Sequence, residues 1–475
     1  MIVFQTVPDS IRKPGIYGEY NFNLAKAGLP ALEQKLLLVG AQLAAGTQPV
    51  HVPVAITGSR DGEALFGAGS ELDRMIKAAF AANPSVLLFA VGVAEATGGK
   101  AHATVTITGP ATADGYVQTR VAGRTVTTAV SKDDTAIAIA SAIKASWTGI
   151  ADAVVTVANG QPATAVATFT AKLNGLNGNC ISLSCLAVAA GVTATASAAV
   201  LASGTGSIDI ESCLAAVAPS RYHVIAISEC VSTTLADLKA HLDTNSSALE
   251  QRGQQGVAAS TGTLGATTTL ANTCNAGRLQ IGLCPGTETL PYEVVAALGA
   301  VRVSHSDPAW NFDGEALAGV LPPAEGADLT RTEQESALHN GVTPLTELAG
   351  GVVSIVRSIS TYTEDSGGFP DVTLLDTATM TTLDYMRDAV TAAIRAAHGP
   401  GNNKLTARKP REVRSTIIGT FKRAETLDIV RDIDLHIAEF TVEESPTVAG
   451  RLNAKIPTPV VPGLHVVALR FDLLI

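Results

Sequence analysis

VLLFAVGV, at Val86–Val93, is an apolar run of the kind that forms a strand buried on both faces of a sheet. Before it, Ser70 and Asp73 are typical of a helix N-terminus, and Asn83-Pro84 predicts the end of that helix. A second apolar run, KLLLV at Lys35–Val39, precedes the helix. Strand, helix and strand in this order predict a crossover that joins two parallel strands, which is the unit of an α/β sheet.

The composition changes at Gly98-Gly99, and from about residue 100 to 204 the chain is rich in Ala, Thr and Val. One helix is predicted here, beginning at Asp133 or Asp134. Short alternating runs indicate strands, separated by Gly-containing turns such as Asp114-Gly115 and Asn159-Gly160. We interpret residues 99–204 as a β-rich module inserted into the α/β part. The strand runs are Ala103–Ile107, Tyr116–Val121, Thr125–Val130, Ala153–Val157 and Ala165–Ala171.

The α/β pattern returns near Ser207, so residues 30–98 and 205–362 are predicted to form one α/β core. A helix is predicted to start at Thr330, with Thr332 and Glu335 as its capping box. The longest helical pattern covers Thr379–His398, and another helix is predicted around Glu412–Glu425. We assign residues 363–463 to a C-terminal domain. Further buried strands are predicted at Tyr222–Ile227, Gly256–Ala259 and Gln280–Cys284.

Both ends of the chain have strand-like character. HVVALRFDLLI, from His465 to Ile475, has an apolar side chain at every second position, which is typical of a strand with one apolar face. This strand either docks in the chain's own sheet or pairs with another chain, since no turn follows it. We predict strand-like arms at 1–29 and 464–475 that link subunits. Their contact residues are Ile16, Tyr17, Tyr20, Phe22, Val467, Leu469, Phe471 and Leu473.

The overall composition excludes several classes of function. The formal net charge is −10, which argues against nucleic acid as a main partner. Aromatic residues make up 4% of the 475, too few to favour an aromatic-lined ligand pocket. None of the six cysteines forms a C-x-x-C pair, so reduced and mostly buried thiols are expected. Neither a signal peptide nor a membrane span is predicted, because the apolar window Cys185–Gly204 is interrupted by Gly and Thr.

No motif for catalysis, cofactor binding or metal binding emerges. Gly98-Gly99-Lys100 does not match the phosphate-loop pattern, because Ala94 stands where its first Gly would be and Ala101 where its Ser or Thr would be. Neither G-x-S-x-G nor H-E-x-x-H is present in the sequence. A cation could be held by the loop carrying His305, Asp307, Asp313 and Glu315, although such loops are ordinarily solvated. The acidic segment Glu439–Glu444 is interpreted as a charged strand edge.

The basic segment Lys404–Arg414 is the remaining charged feature. It is interpreted either as a solvated face or as a contact surface for an acidic partner protein. The residues proposed for such a contact are Lys404, Arg408, Lys409 and Arg411.

Several stretches together resemble the tail sheath proteins of contractile bacteriophages, particularly the Mu-type sheath. PGIYGEYNF at Pro14–Phe22 is similar to the N-terminal arm of many sheaths. DDTAIAIASAI at Asp133–Ile143 and FTAKLNGLNGNCISL at Phe169–Leu183 are similar to the protruding domain of Mu-like sheaths. LTRTEQESALHNGVTPL at Leu329–Leu345 and GVVSIVRSIST at Gly351–Thr361 are similar to the core pattern of a helix, a Gly-Val turn and a strand. The resemblance covers nearly the whole chain.

The resemblance implies an α/β and α+β multidomain protein: an α/β sheath core, an inserted β-rich protruding domain and strand-like terminal arms. It implies a structural subunit of a virion tail that polymerises in stacked hexameric rings around a tail tube. The arms would add strands to neighbouring subunits, and contraction would drive the tube through the host envelope without a nucleotide. Tube, baseplate and tail terminator proteins are the implied partners, and assembly is expected in the host cytoplasm.

Two competing interpretations remain at this point. One is another self-assembling structural protein, such as a tail tube or surface-layer subunit; the α/β core counts against a tube. The other is an α/β hydrolase-like enzyme with a β-rich accessory domain. It would need a nucleophile and a base for which the sequence supplies no motif.

Overall fold

The computed structural model describes residues 34–160, 162–399 and 404–473, which fall into two units. The larger unit contains residues 34–384 and 462–473, apart from the gap at 161. The smaller unit contains residues 385–461, apart from the gap at 400–403. The predicted N-terminal contact residues Ile16, Tyr17, Tyr20 and Phe22 lie outside the described residues.

In the described residues the chain forms seventeen strands and ten α-helices. The strands are β1 (Lys35–Ala41), β2 (Val54–Ile56), β3 (Leu87–Val93), β4 (His102–Thr108), β5 (Gly115–Val121), β6 (Arg124–Val130), β7 (Val155–Asn159), β8 (Val166–Ala171), β9 (Leu183–Val188), β10 (Thr193–Ala196), β11 (Val224–Ile227), β12 (Gln255–Ser260), β13 (Leu279–Leu283), β14 (Thr343–Leu348), β15 (Val352–Ile355), β16 (Thr441–Glu444) and β17 (Leu452–Lys455). The helices are α1 (Glu71–Ala82), α2 (Ala136–Thr148), α3 (Glu211–Val217), α4 (Ser232–Asn245), α5 (Leu264–Cys274), α6 (Pro291–Arg302), α7 (Arg331–His339), α8 (Thr377–His398), α9 (Lys409–Glu425) and α10 (Ile433–His436).

The larger unit is built on an eight-stranded sheet in the order β15-β14-β13-β12-β11-β1-β3-β2. The predicted crossover is confirmed, because β1 and β3 run parallel and α1 connects them. Ser70 caps α1 as expected: its Oγ accepts a hydrogen bond from the backbone N–H of Asp73 at 3.1 Å. The edge strand β2 is antiparallel to β3, and β15 is antiparallel to β14. All other neighbouring pairs are parallel.

Helices cover both faces of this sheet, as a largely parallel sheet requires. Side chains of β1 alternate between two cores: Leu36 and Leu38 pack with α1 and α6, whereas Leu37 and Val39 pack with α3, α4 and α5. Every residue of α6 is buried. The sheet therefore lies between two apolar layers.

Between β3 and β11 the chain forms two antiparallel sheets, in the orders β10-β4-β8-β7 and β6-β5-β9. The helix α2 packs on them, and its Trp147 lies edge-on to Phe169 with ring centroids 5.8 Å apart. The five strands expected here are present; β9 and β10 were not predicted. Asp114-Gly115 is not a hairpin turn, because Gly115 is the first residue of β5. The β5–β6 turn is instead Ala122-Gly123, both at positive φ (46° and 76°), as a type I′ turn requires.

The chain leaves the large sheet and returns to it at neighbouring points. The backbone N–H of Gly99 donates to Thr205 Oγ1 at 2.8 Å, and the N–H of Thr205 donates to Gly99 O at 3.1 Å. A Cβ on Gly98 would collide with the carbonyl oxygen of Thr205, so glycine is required there. Polar contacts also join the antiparallel sheets to α1: Asn177 Nδ2 donates to Glu71 Oε1 at 2.7 Å, and Arg124 pairs with Asp152 at 2.6 Å beside Lys77.

The capping box predicted for α7 is wrong by two residues. Thr330, not Thr332, is the N-cap: its Oγ1 accepts from the backbone N–H of Glu333 at 3.4 Å. The Glu333 carboxylate accepts in return from the hydroxyl of Thr330 at 2.7 Å and from its N–H at 2.9 Å, and these two hydrogen bonds lower the pKa of Glu333. The helix begins as soon as its first residue can be capped, so the earlier Thr takes the role.

The smaller unit has its own core, formed by the end of α8 with α9, α10 and the β16–β17 hairpin. Phe421 of α9 and Phe440 are buried edge to face, with ring centroids 5.2 Å apart. Met386 and Val390 of α8 lie in the same cluster, which confirms the apolar face predicted for that helix. No helix in the described part of the chain is both long enough and apolar enough to cross a membrane.

Candidate assembly surfaces

The C-terminal segment exposes its apolar side chains. Val467, Leu469, Phe471 and Leu473 are 66%, 73%, 89% and 85% exposed. Residues 461–473 form no strand, and no ladder joins them to a sheet of the described chain. In the described residues this segment therefore does not dock in a sheet of its own chain, which was one of the two predicted alternatives. Strand formation at this segment needs a partner edge from outside these sheets.

The β16–β17 hairpin presents unpaired strand edges. It is a two-stranded antiparallel sheet in which Thr441 faces Lys455 and Glu444 faces Leu452. Val442 and Leu452 pack partly buried against the smaller unit's core, while most of the other side chains are exposed. In the described residues no third strand pairs with either outer edge. These edges leave backbone N–H and C=O groups without a strand partner, so the hairpin is suited to accept further strands.

Only part of the basic segment points to solvent. Lys404, Arg408 and Arg411 are exposed at the start of α9. The ammonium of Lys409 instead lies 3.1 Å from His398 Nδ1 and 3.5 Å from Glu412 Oε2, and its side chain is 16% exposed.

Arg414, which ends the basic segment, donates inward to the carbonyl oxygens of Ile437 and Phe440, each at 2.6 Å. Lys404, Arg408 and Arg411 are therefore the cations of this segment that remain available to a partner.

The loop considered for a cation uses its side chains for contacts within the protein. The His305 ring stacks on Trp310 with centroids 4.0 Å apart, and its Nε2 lies 3.4 Å from Glu315 Oε1. Asp307 accepts from the backbone of Ala309, and Asp313 accepts from His465. No group of three or more His, Cys, Asp or Glu in the described residues is arranged to hold a metal ion.

The cysteines are free thiols in the described chain. Three are buried, two are half-buried and Cys180 is exposed, so the expectation of mostly buried thiols holds for half of them. Burial raises the pKa of Cys213, Cys230 and Cys284 to about 12, which keeps these thiols protonated.

Comparison with known proteins shows what this chain is similar to. A family model described as the phage tail sheath protein central domain matches residues 203–361, which include strands β11 to β15. A Mu-like prophage FluMu tail sheath protein of Haemophilus influenzae is 27% identical over 477 residues, covering 95% of each chain. The chain is thus similar to phage tail sheath proteins, in residues 203–361 by the family model and over 95% of its length by this relative. The sheath resemblance inferred from the sequence is thereby confirmed, and it disfavours the tube, surface-layer and hydrolase alternatives.

Solved sheath-containing assemblies share the same fold. The helical sheath of the anti-feeding prophage in its contracted state superposes with a TM-score of 0.50 at 11% identity, covering 98% of this chain and 99% of that one. The anti-feeding prophage baseplate gives a TM-score of 0.50 at 10% identity, with the same coverage. The sheath fold is therefore found in proteins whose sequences have diverged far from this one.

Two features of these surfaces differ in how far the sequence predicts them. The sequence indicates a charged strand edge at Glu439–Glu444, and Pro446 and Gly450 after it are the turn signal that predicts a hairpin. The contact of His465 with Asp313 joins residues 152 positions apart, and no local pattern predicts it.

Proposed function

We propose that this protein is the structural subunit of a contractile phage tail sheath, polymerising as stacked hexameric rings around a tail tube. Shortening of this lattice would drive the tube through the host envelope. The observation that carries the proposal is the exposed apolar C-terminal segment, in a chain that matches a Mu-like tail sheath over 95% of its length. Soluble proteins rarely leave such a patch uncovered unless it binds a partner.

The C-terminal segment serves as a strand donor in this proposal. Val467, Leu469, Phe471 and Leu473 would form the buried face of a strand added to a neighbouring subunit. The N-terminal residues Ile16, Tyr17, Tyr20 and Phe22 would form a second donor strand. Main-chain hydrogen bonds of an added strand can persist while the rest of each subunit rotates as a rigid body.

The acceptor would be the β16–β17 hairpin of a neighbouring subunit. Its outer edges offer main-chain donors and acceptors to an added strand. Strands added from other subunits would extend this hairpin into a sheet shared between molecules.

The remaining parts have roles that follow from this arrangement. Residues 30–98 and 205–362 would form the core, residues 99–204 a protruding domain and residues 363–463 the C-terminal domain. Lys404, Arg408 and Arg411, with Lys409 as a helix-stabilising neighbour, would face an acidic tail tube. The subunit would also meet baseplate and tail terminator proteins in the virion, after assembly in the host cytoplasm.

Deletion of residues 467–475 tests the proposal by negative-stain electron microscopy across a salt and concentration series, with and without tube protein. The truncated chain should stay folded but form no tubes, because it lacks the donor strand. The full-length variant Leu469→Asp/Phe471→Asp should behave in the same way.

The matched control is Phe369→Asp/Val372→Asp, which changes two apolar side chains that are also exposed, at 69% and 75%, but lie outside the arm. This variant should form tubes normally. Striated tubes of normal diameter from the truncated protein would contradict the strand-donor role.

A further inference from the structure

The base of the C-terminal arm contacts the rest of the larger unit through His465. The His465 side chain is 17% exposed, whereas its neighbours Leu464 and Val466 are 79% and 80% exposed. Its Nδ1 donates to Asp313 Oδ2 at 2.5 Å, and its Nε2 lies 3.5 Å from Asp376 Oδ2. The chain is therefore fixed at this residue and exposed immediately after it.

The two carboxylates that flank the imidazole are themselves oriented by other groups. Asn311 Nδ2 donates to Asp313 Oδ2 at 2.9 Å, and the backbone N–H of Ser358 donates to Asp313 Oδ1 at 3.3 Å. Arg357 donates twice to Asp376 Oδ1, at 3.1 and 2.9 Å. Asp313 Oδ2 and Asp376 Oδ2 therefore both face the imidazole. These two carboxylates are called the His465 socket below.

The backbone on the other side of the imidazole is shaped to fit it. A Cβ on Gly463 would lie 2.8 Å from His465 Cε1, a distance that real Cβ contacts essentially never show, and 3.1 Å from Asn311 Nδ2. An alanine two positions before the histidine would therefore displace the imidazole from its present position.

We propose that His465 is a positioning residue for strand exchange: it anchors the base of the C-terminal arm to its own subunit, so that only residues 466–475 cross to a neighbour. This inference rests on the strand-donor function proposed above. Ten extended residues span roughly 33 Å, so the acceptor edge must begin within that distance of His465.

Anchoring changes how effectively the arm finds its acceptor. A tethered strand samples a smaller volume when its origin is fixed close to the target, which raises its effective concentration there. Without the His465 socket, the free length would extend back past Gly463 to about Val461, because the backbone N–H of Arg431 holds Pro459 O at 3.1 Å.

The anchor is tested first in the unassembled subunit. A nitroxide spin label at Val466→Cys, in a Cys180→Ser background, should report restricted motion by electron paramagnetic resonance. His465→Ala and Gly463→Ala should each shorten the rotational correlation time severalfold, whereas the exposed-histidine control His102→Ala should not. A label at Phe471→Cys should be mobile in all of these proteins.

The second readout is the critical concentration for tube formation. Loss of the charge-assisted contact should raise it about tenfold in His465→Ala. Asp313→Asn should have a similar effect, with little further change in the double variant, because both remove the same contact. Circular dichroism checks that each variant is folded.

The two experiments distinguish failure of the His465 anchor from failure of the strand-donor role. If His465→Ala changes neither label mobility nor critical concentration while the arm deletion still abolishes tubes, the anchor is wrong and the strand donor stands. If the arm deletion forms normal tubes, the strand donor fails and the anchor's role in exchange fails with it.

Discussion

His223, just before β11, is a titratable residue whose surroundings differ sharply between the folded and unfolded chain. Its Nδ1 accepts a hydrogen bond from the backbone N–H of Lys35 at 3.1 Å. Burial, with smaller contributions from the charges of Arg221 and Lys35, lowers the pKa of His223 to about 4. The imidazole is therefore neutral in the folded protein at pH 5 to 6, where an unfolded histidine is largely protonated.

This difference predicts a pH-dependent stability. Between about pH 6.5 and 4 the unfolded chain binds the additional proton, so the free energy of unfolding falls as the pH decreases. The contribution of His223 amounts to about 2–3 kcal/mol over this range. His223→Gln, which can still accept from Lys35, should remove that part of the pH dependence in urea unfolding.

His339→Gln, at an exposed position of α7, is the matched control and should leave the pH dependence unchanged. An identical pH dependence in His223→Gln and the wild type would show that the imidazole does not couple folding to protonation.

Arg302 shows why the burial and the hydrogen-bond partners of a single residue are hard to predict from sequence. At the end of α6, an arginine is ordinarily solvated, yet this one is buried over the Phe312 ring and donates to Gln255 and Thr377. Burial lowers its pKa to about 9. Its partners lie 47 and 75 positions away, so only the folded chain brings them together.

At the scale of elements, the start of α7 offers a direct comparison of two neighbouring threonines. Thr330→Ala removes the N-cap oxygen and should destabilise the protein by about 1 kcal/mol. Thr332→Ala, two residues into the same exposed helix, is the matched control and should change stability little. Differential scanning calorimetry of both variants tests the cap, and equal effects on Tm would contradict it.

Helices and strands are predictable where apolar runs are sharply separated by capping and turn residues. The β1–α1–β3 crossover follows from apolar runs, a capping serine and Asn83-Pro84, all of which act locally. The strands β9 and β10 are not predictable in this way, because β9 (LSCLAV) is apolar at nearly every position and β10 (TATA) is only four residues long. The C-terminal arm has the clearest alternation of all, yet none of the sheets in the described residues pairs with it.

At the scale of the whole molecule, charge is distributed unevenly. The chain has a net charge of −10, yet the start of α9 presents three exposed cations close together in sequence. Lys404→Glu/Arg408→Glu/Arg411→Glu should abolish co-assembly with tube protein at low salt if these cations face an acidic tube. Low salt is required because screening weakens such contacts.

A second triple variant, Arg60→Glu/Lys132→Glu/Arg331→Glu, makes the same change in net charge at exposed positions of the larger unit. It should still co-assemble. Normal co-assembly of the α9 variant, measured by sedimentation and electron microscopy, would rule out tube contact through these cations.

The hydrogen bonds between Gly99 and Thr205 have a consequence for the evolution of this protein. A segment whose two ends lie side by side adds little loop-closure cost to the sheet it leaves, whatever its length. Residues between these junctions can thus be exchanged as a cassette without altering β3 or β11. One recombination event could therefore replace both antiparallel sheets while the eight-stranded sheet is inherited unchanged.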